Sequence, residues 1–251
     1  MIIMADNNTE NKVVVHNLTK KFGDLLVLDD ISFNVKKNEF LCIVGPTGCG
    51  KTTFLNSLSK LYDITSGEIL INDEPVNLKK HNIAYIFQEY SNFPWLTIQE
   101  NIEYGLKVKH VPKDIRREKA DYFINMVGLD RFRDYYPRQL SASMLQRAAI
   151  ARAFAVEPEL LLMDEPFASL DFITRGELQS ELLRIQDELH RTIVLVTHQL
   201  EEALLLAQRI IVMHGDSTVR EFDLSALPYP RNLGSRELLM LRDAVTEECR
   251  K

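Results

Sequence analysis

The sequence lacks several features that define whole classes of protein. Its 251 residues include only three cysteines, an odd number that excludes a framework of paired disulfides and favours a reducing compartment. No apolar run reaches the roughly 18 residues that a membrane helix requires. Lys and Arg number 30 against 36 Asp and Glu, so the basic excess typical of nucleic-acid binding is missing. The start, MIIMADNNTENK, has no basic stretch before an apolar one, unlike a signal peptide. We therefore expect a soluble, cytosolic protein that binds no nucleic acid but could dock on a membrane protein.

The patterns that are present predict an α/β fold in one main domain with a smaller lobe. Apolar residues alternate through 13–35, as in strands, whereas 40–44, 160–163 and 192–196 are continuous apolar runs typical of buried parallel strands. Helical patterns dominate 88–154. We expect a mostly parallel sheet, an antiparallel β edge from the N-terminal third and an inserted helical lobe. The predicted organisation is a flexible tail at 1–12, a core formed by 13–87 and 155–251, and the helical lobe at 88–154.

The strongest local motif is GPTGCGKT, which matches the phosphate-loop pattern G-x-x-x-x-G-K-[ST] between a predicted strand and a predicted helix. Glycines let the backbone wrap around phosphates, and the helix N-terminus adds partial positive charge. The lysine of such a loop reaches the β- and γ-phosphates, and the next hydroxyl ligates Mg²⁺. A simple glycine-rich turn is the alternative, which the flanking elements disfavour. The predicted nucleotide-binding residues here are Gly45, Pro46, Thr47, Gly48, Cys49, Gly50, Lys51, Thr52 and Thr53.

A second motif is the apolar run LLLM followed by Asp164 and Glu165. A strand that ends in Asp places a carboxylate near Mg²⁺, and the adjacent Glu can polarise a water molecule. Taken alone, a strand ending in Asp-Glu usually marks a turn. After a phosphate loop, the catalytic interpretation becomes the better one.

With these motifs in order, the chain resembles the nucleotide-binding subunit of an ATP-binding cassette (ABC) transporter over about residues 13–215. Gln88, after the strand AYIF, matches the Q-loop glutamine that contacts Mg²⁺ and links to the helical lobe. Asp164 and Glu165 match the Walker B aspartate and the catalytic glutamate, and His198 matches the switch histidine. The resemblance implies a phosphate-loop ATPase core, with ATP and Mg²⁺ as cofactors.

Other elements of the family also have counterparts. Phe22 in KKFG stands where the family has an aromatic residue that stacks on adenine, and Asp171 in ASLD matches the D-loop. LSASMLQR at 140–147 stands in place of the signature LSGGQ-x-QR. In the family this signature contacts the ATP held by the opposite subunit, so the resemblance gives nucleotide contacts to Ser141 and Ser143. It implies a head-to-tail dimer with a second ATPase subunit, identical or different.

The signature departs from the family pattern, because Ala142 and Ser143 replace its two glycines and Leu145 replaces an arginine. Ser143 keeps its backbone N–H but adds a Cβ and a hydroxyl where the backbone approaches the γ-phosphate. Ser141 is retained and is expected to cap the following helix. Two interpretations stay open: a tolerated variation with a somewhat slower ATPase, or a degenerate half-site compensated by a partner subunit with an intact signature.

The segment FPWLTIQEN at 93–101 resembles importers of nitrate, aliphatic sulfonates and taurine, and the chain stops soon after ALPYPR, which is similar to the same group. Trp95 in this segment is either an anchor that packs the lobe on the sheet or a permease contact. The resemblance implies an integral-membrane permease partner, an indirect extracytoplasmic solute-binding protein, and a peripheral position on the cytoplasmic side of the inner membrane. Alternatives are a weakly hydrolysing regulatory ATP-binding partner and a non-transport ABC ATPase. The latter normally carries coiled-coil or zinc insertions, which this sequence lacks.

Overall fold

The computed structural model describes residues 11–89 and 91–250, and its strands form two sheets. A four-stranded antiparallel sheet has the order β2-β1-β4-β5. Its strands are β1 (Asn11–Phe22), β2 (Leu25–Lys36), β4 (Ser66–Ile71) and β5 (Glu74–Pro75). A six-stranded sheet has the order β10-β9-β3-β8-β7-β6 and is parallel except for β10. Its strands are β3 (Phe40–Val44), β6 (Ile83–Ile86), β7 (Leu160–Asp164), β8 (Thr192–Val196), β9 (Arg209–Met213) and β10 (Val219–Asp223). The predicted α/β class is confirmed.

Seven helices complete the described part of the chain. They are α1 (Lys51–Leu58), α2 (Ile98–Val108), α3 (Lys113–Met126), α4 (Ala142–Ala155), α5 (Phe172–Leu189), α6 (Leu200–Leu206) and α7 (Arg236–Cys249). Helices α2, α3 and α4 pack together in the chain between β6 and β7. No helix among residues 11–89 and 91–250 is long and apolar enough to cross a membrane.

The larger sheet is buried on both faces, which explains its continuous apolar strands. All five residues of β3 are buried, and they alternate between two cores. Phe40 and Cys42 pack with α2–α6, whereas Leu41 and Ile43 pack with α1 and the antiparallel sheet. The carboxyl ends of β3, β7 and β8 therefore meet at one edge between these two layers.

The structure corrects several predicted boundaries. Residues 1–10 of the expected tail lie outside the described residues, but Asn11 and Lys12 belong to β1 rather than to a tail. Lys12 is held there because its Nζ donates a 2.6 Å hydrogen bond to Glu159. The helix predicted after the phosphate loop, α1, ends at Leu58, and Lys60 just beyond it adopts a left-handed φ of 59°. Strand β10 was not predicted, because most of its residues are exposed. All three cysteines are free, as expected.

Candidate functional site

The loop between β3 and α1 is built around two glycines, Gly45 and Gly50, whose surroundings leave no room for a Cβ. A Cβ on Gly45 would lie 2.2 Å from the backbone oxygen of Met213, which is far inside contact distance. Gly50 has a left-handed φ of 100°, and a Cβ there would lie 2.3 Å from Cδ2 of Leu28. The positions of the two glycines thus follow from the space available beside β9 and β2. The second glycine directly precedes the first residue of α1.

Lys51 and Thr52, the first two residues of α1, turn back toward neighbouring segments. Lys51 is only 7% exposed, and its Nζ donates hydrogen bonds to the carbonyl oxygens of Gly45 at 2.8 Å and Pro46 at 2.9 Å. The hydroxyl of Thr52 donates to Oδ1 of Asp164 at 3.1 Å. A cation and a hydroxyl therefore stand side by side at the N-terminus of a helix, which is an arrangement suited to anions.

Asp164 ends β7 and lies under the phosphate loop, 5% exposed. Burial raises the pKa of this carboxyl above its usual range, while the hydrogen bonds from Thr52 and Tyr85 oppose the shift. Tyr85, on β6, donates its hydroxyl to Oδ2 at 3.3 Å. Burial, followed by the charge of Asp164, raises the pKa of Tyr85, so its hydroxyl stays protonated and remains a donor. Sequence analysis did not identify Tyr85; its only signal is that it stands three residues before Gln88.

Glu165 and His198 form a pair at the ends of β7 and β8. Glu165 has a left-handed φ of 46°, and its N–H donates to the carbonyl of Val196 at 2.9 Å. Its Oε2 lies 2.9 Å from Nδ1 of His198. The left-handed turn directs the carboxylate out of the sheet edge, and the histidine fixes one of its oxygens.

Lys51, Thr52, Glu165 and His198 line one cleft of about 430 Å³. Its lining residues are Val27, Thr47, Gly48, Gly50, Lys51, Thr52, Thr53, Gln88, Glu165 and His198. Gly45 and Pro46 line an adjoining cavity of about 300 Å³ beside α7, and Cys49 is buried within the loop. Val27, on β2, was not predicted, and nothing in the sequence motifs points to it. The structure thus brings together most of the predicted residues, from four separate segments.

Asp164 reaches this cleft only through its contact with Thr52, and four other predicted residues, Phe22, Ser141, Ser143 and Asp171, line neither the cleft nor the adjoining cavity. Phe22 ends β1 and is 42% exposed; its ring contacts Tyr62 edge-on, with 5.2 Å between centroids. Ser141 caps α4 as predicted, accepting from Met144 N at 3.3 Å, and its hydroxyl lies 3.0 Å from that of Ser143. Asp171 caps α5 through hydrogen bonds from the N–H groups of Ile173 and Thr174, both at 3.1 Å. Their contacts with nucleotide stay predictions.

The segment before α2 is rigid and presents Trp95 outward. The side chain of Asn101 is fully buried and bonds the backbone of Phe93 in both directions, at 2.7 Å and 3.1 Å. Thr97 and Glu100 form a reciprocal capping box at the start of α2. Trp95 is 69% exposed, and its ring centroid lies 5.6 Å from that of Phe93. This exposure excludes the interpretation of Trp95 as an anchor between lobe and sheet.

The fold and the cleft together define a phosphate-loop nucleotide-binding protein with an inserted helical segment. The family model described as ABC transporter matches residues 28–168. An uncharacterized ABC transporter ATP-binding protein of Methanocaldococcus jannaschii is 42% identical over 239 residues, covering 93% of this chain and 90% of that protein. The aliphatic sulfonates import ATP-binding protein SsuB of Bacillus cereus is 38% identical over 233 residues, covering 92% and 91%.

Solved structures agree with these sequence relatives. A dimeric ATP-binding cassette in a post-hydrolysis state, bound to ADP and Pi, superposes with a TM-score of 0.75 at 33% identity, covering 84% of this chain and 98% of that one. The chain belongs to the ABC transporter family, as an ATP-binding ATPase subunit. The resemblance predicted from the sequence is confirmed.

Proposed function

We propose that this subunit hydrolyses Mg²⁺-ATP in a head-to-tail dimer and thereby drives a membrane permease that imports a small anionic solute. The observation that carries the proposal is the Glu165–His198 pair, held at 2.9 Å beside the phosphate loop in a single cleft. A carboxylate fixed in this way is placed to polarise a water molecule that attacks the γ-phosphate. His198 would orient the same phosphate.

The residues under the phosphate loop suit Mg²⁺. In nucleotide sites this cation is typically bound by one or two protein oxygens together with the phosphates, and it keeps several water ligands. Thr52 and Asp164, joined at 3.1 Å, supply a hydroxyl and a carboxylate, and Gln88 lines the same cleft. The part of the chain that the structure describes has no cluster of three or more His, Cys, Asp or Glu side chains able to hold a metal. We assign Thr52, Asp164 and Gln88 to Mg²⁺, which would neutralise phosphate charge, and Lys51 to the β- and γ-phosphates.

The signature and D-loop residues fit a role across a dimer. Ser141, Ser143 and Asp171 do not line the cleft that holds Lys51 and Glu165. The related cassette described above is dimeric. We propose that Ser141 and Ser143 contact the γ-phosphate bound by the opposite subunit and that Asp171 lies near it. Phe22 would stack on adenine beside its own phosphate loop.

The permease would dock on the helical segment. We propose 88–154 as a lobe that moves relative to the core formed by 13–87 and 155–251, with Gln88 transmitting the movement. The exposed Trp95 is its contact with the permease. The position would be peripheral, on the cytoplasmic side of the inner membrane, with an extracytoplasmic solute-binding protein as indirect partner. The name of the Bacillus cereus relative, an aliphatic sulfonates import ATP-binding protein, supports a sulfonate as the solute, whereas nitrate and taurine rest on the sequence resemblance alone.

The test is ATP turnover by the purified protein, alone and with its permease. Glu165→Gln preserves size and hydrogen bonding but removes the carboxylate, so turnover should fall by about 10²–10⁴-fold. ATP binding should persist, and the closed dimer should last longer. Glu201→Gln, on an exposed glutamate of α6, is the matched control and should leave turnover unchanged. A fall of less than about threefold for Glu165→Gln would place catalysis elsewhere.

A second candidate is a regulatory ATP-binding partner that hydrolyses weakly in a heterodimer. The replacement of the signature glycines by Ala142 and Ser143 favours it. The complete set of Lys51, Asp164 and Glu165 around this chain's own phosphate loop opposes it. Substantial turnover by the purified protein alone would exclude it.

A further inference from the structure

One partly buried arginine outside the cleft contacts both of the turns that carry Glu165 and His198. Arg175 lies in the second turn of α5, and its side chain is 22% exposed. One guanidinium nitrogen donates to the carbonyl of Leu170 at 2.9 Å, and the other terminal nitrogen donates to the side-chain oxygen of Gln199. The planar fork of arginine can satisfy several acceptors at once, which an ammonium group cannot do in the same geometry.

Each of these contacts leads to a proposed catalytic residue. Leu170 belongs to the turn that starts at Glu165, where Ala168 N–H donates to the Glu165 carbonyl at 3.2 Å. Gln199 directly follows His198. Arg175 therefore bridges the segment after β7 and the segment after β8, beyond the last rung of their pairing at Asp164 and Val196.

The arginine also faces a buried carboxylate. Glu202, on α6, is 2% exposed, and its Oε2 accepts a 2.6 Å hydrogen bond from the hydroxyl of Thr197. The same hydroxyl accepts from the N–H of Gln199 at 3.0 Å. Glu202 thus holds the histidine turn through Thr197, and both residues next to His198 are fixed through this network.

One contact in this network is incomplete. Nε of Arg175 and Oε1 of Glu202 are both buried without a hydrogen-bond partner among the described residues, and they lie 3.8 Å apart. A charge-assisted N–H···O bond typically spans about 2.7–2.9 Å. A movement of roughly 1 Å would therefore complete the pair, so the two turns have a tighter arrangement available to them.

We propose that Arg175 and Glu202 are positioning residues that lock the histidine turn onto the Glu165 turn, and so set the geometry of hydrolysis without touching nucleotide. The inference rests on the proposed catalytic role of Glu165 and His198. It predicts a loss of turnover with little effect on nucleotide binding, since neither side chain lines the cleft.

The experiment measures kcat, the KM for ATP and Tm for single and double variants of the full chain. Arg175→Ala should lower kcat about 10- to 100-fold, the scale expected for a misplacement of about 1 Å. The KM for ATP should stay within about threefold. Arg175→Lys should not restore kcat, because one ammonium cannot replace the fork. Arg184→Ala removes an arginine of the same helix that donates to Met126 instead, and it should leave kcat unchanged.

Two further variants keep the test decisive. Glu202→Gln retains an acceptor for Thr197 and should lower kcat, and combining it with Arg175→Ala should cause no further loss, because the pair acts as a unit. Gln199→Ala removes one acceptor of Arg175 from a partly exposed position, and it serves if Arg175→Ala fails to fold. It should lower kcat with an unchanged KM.

The inference is overturned if Arg175→Ala and Gln199→Ala keep kcat within twofold of the unmodified protein, if lysine restores kcat, or if the losses add in the double variant. A fall in Tm with unchanged kcat per folded molecule would mean that Arg175 and Glu202 only stabilise the fold, and it would also overturn the inference. Glu165→Gln distinguishes a failure of the proposed function from a failure of this inference. Full turnover in that variant defeats the proposed function, whereas its loss alongside an active Arg175→Ala defeats only this inference.

Discussion

Thr52 and Asp164 lie 112 positions apart in the chain, yet the hydroxyl of one donates a 3.1 Å hydrogen bond to the carboxylate of the other. The bond joins the first turn of α1 to the end of β7. Tyr85 occupies the second carboxylate oxygen at 3.3 Å. A cation that takes Thr52 and Asp164 as ligands replaces this hydrogen bond with two metal–oxygen contacts. Both oxygens are already adjacent before the cation binds.

This arrangement predicts that Asp164→Asn separates stability from activity. The raised pKa of Asp164 means that the folded protein disfavours its charged form. The protonated carboxyl therefore contributes to the free energy of unfolding below the usual pKa of an aspartate. This contribution is lost as pH rises through the raised pKa of the folded protein. Asparagine does not titrate, so the variant should melt at a higher temperature than the unmodified protein at pH 7, with the difference shrinking toward pH 4. Its Mg²⁺-dependent ATPase should be lost.

Thermal melting at both pH values, paired with ATPase assays over a range of Mg²⁺ concentrations, checks this prediction. Asp29→Asn, at an exposed aspartate of β2, is the control for the change in net charge. A lower Tm for Asp164→Asn at pH 7 would mean that the carboxylate stabilises the free protein.

Lys51→Ala should remove most ATP binding. The lysine is the phosphate loop's own cation, and a hydrogen bond to a charged group contributes about 1.5–3 kcal/mol. Affinity should therefore fall by about 10- to 100-fold, measured by titration with a fluorescent ATP analogue. Lys113→Ala, at an exposed lysine of α3, should bind normally. Unchanged affinity in Lys51→Ala would refute the nucleotide assignment of the cleft.

Trp95→Ala should weaken assembly with the permease by about 2 kcal/mol, as expected for an aromatic interface anchor. Because this side chain is 69% exposed, the isolated subunit should keep its Tm and basal ATPase. Co-purification with the membrane partner measures the effect. Leu78→Ala, at a residue 58% exposed outside the helical segment, should assemble normally. Intact assembly with Trp95→Ala would assign the permease contact to another surface.

Restoring the signature glycines, with Ala142→Gly and Ser143→Gly, has two opposing effects. It removes bulk where the backbone approaches a phosphate, but it costs about 1 kcal/mol of helix stability per glycine. Ser141 still caps α4. If the signature limits turnover, ATPase of a homodimer should rise several-fold. In a heterodimer with an intact partner signature, the gain should be small. No gain in a verified homodimer would make Ala142 and Ser143 a neutral variation.

The parts of the site that sequence could predict are those set by local geometry. Gly45 and Gly50 have no room for a side chain, so the loop is visible as a motif. Asp164 ends one fully buried strand and His198 follows another, and the apolar runs of both strands are equally visible. Parallel strand ends meet at one sheet edge, and the cleft follows from that rule.

The remaining contacts depend on tertiary packing. Tyr85 reaches Asp164 only because β6 pairs with β7, and no motif connects the two residues. Arg175 and Glu202 are ordinary helix residues in the sequence, and only the approach of α5 to α6 places their charges together. The exposure of Trp95 was equally hidden, because an apolar residue beside a helix start is compatible with either environment.

The register of β7 against β8 has a consequence for how this chain can tolerate change. Asp164 pairs with Val196, and Glu165 donates to the same residue, so the ladder fixes the acid and the histidine together. The number of residues that connect β7 to β8 does not affect this geometry. Insertions at the exposed His190, in the turn between α5 and β8, should therefore be absorbed as surface variation. A slip of one residue in the ladder would instead turn every side chain of the strand to the opposite face and dismantle the pair.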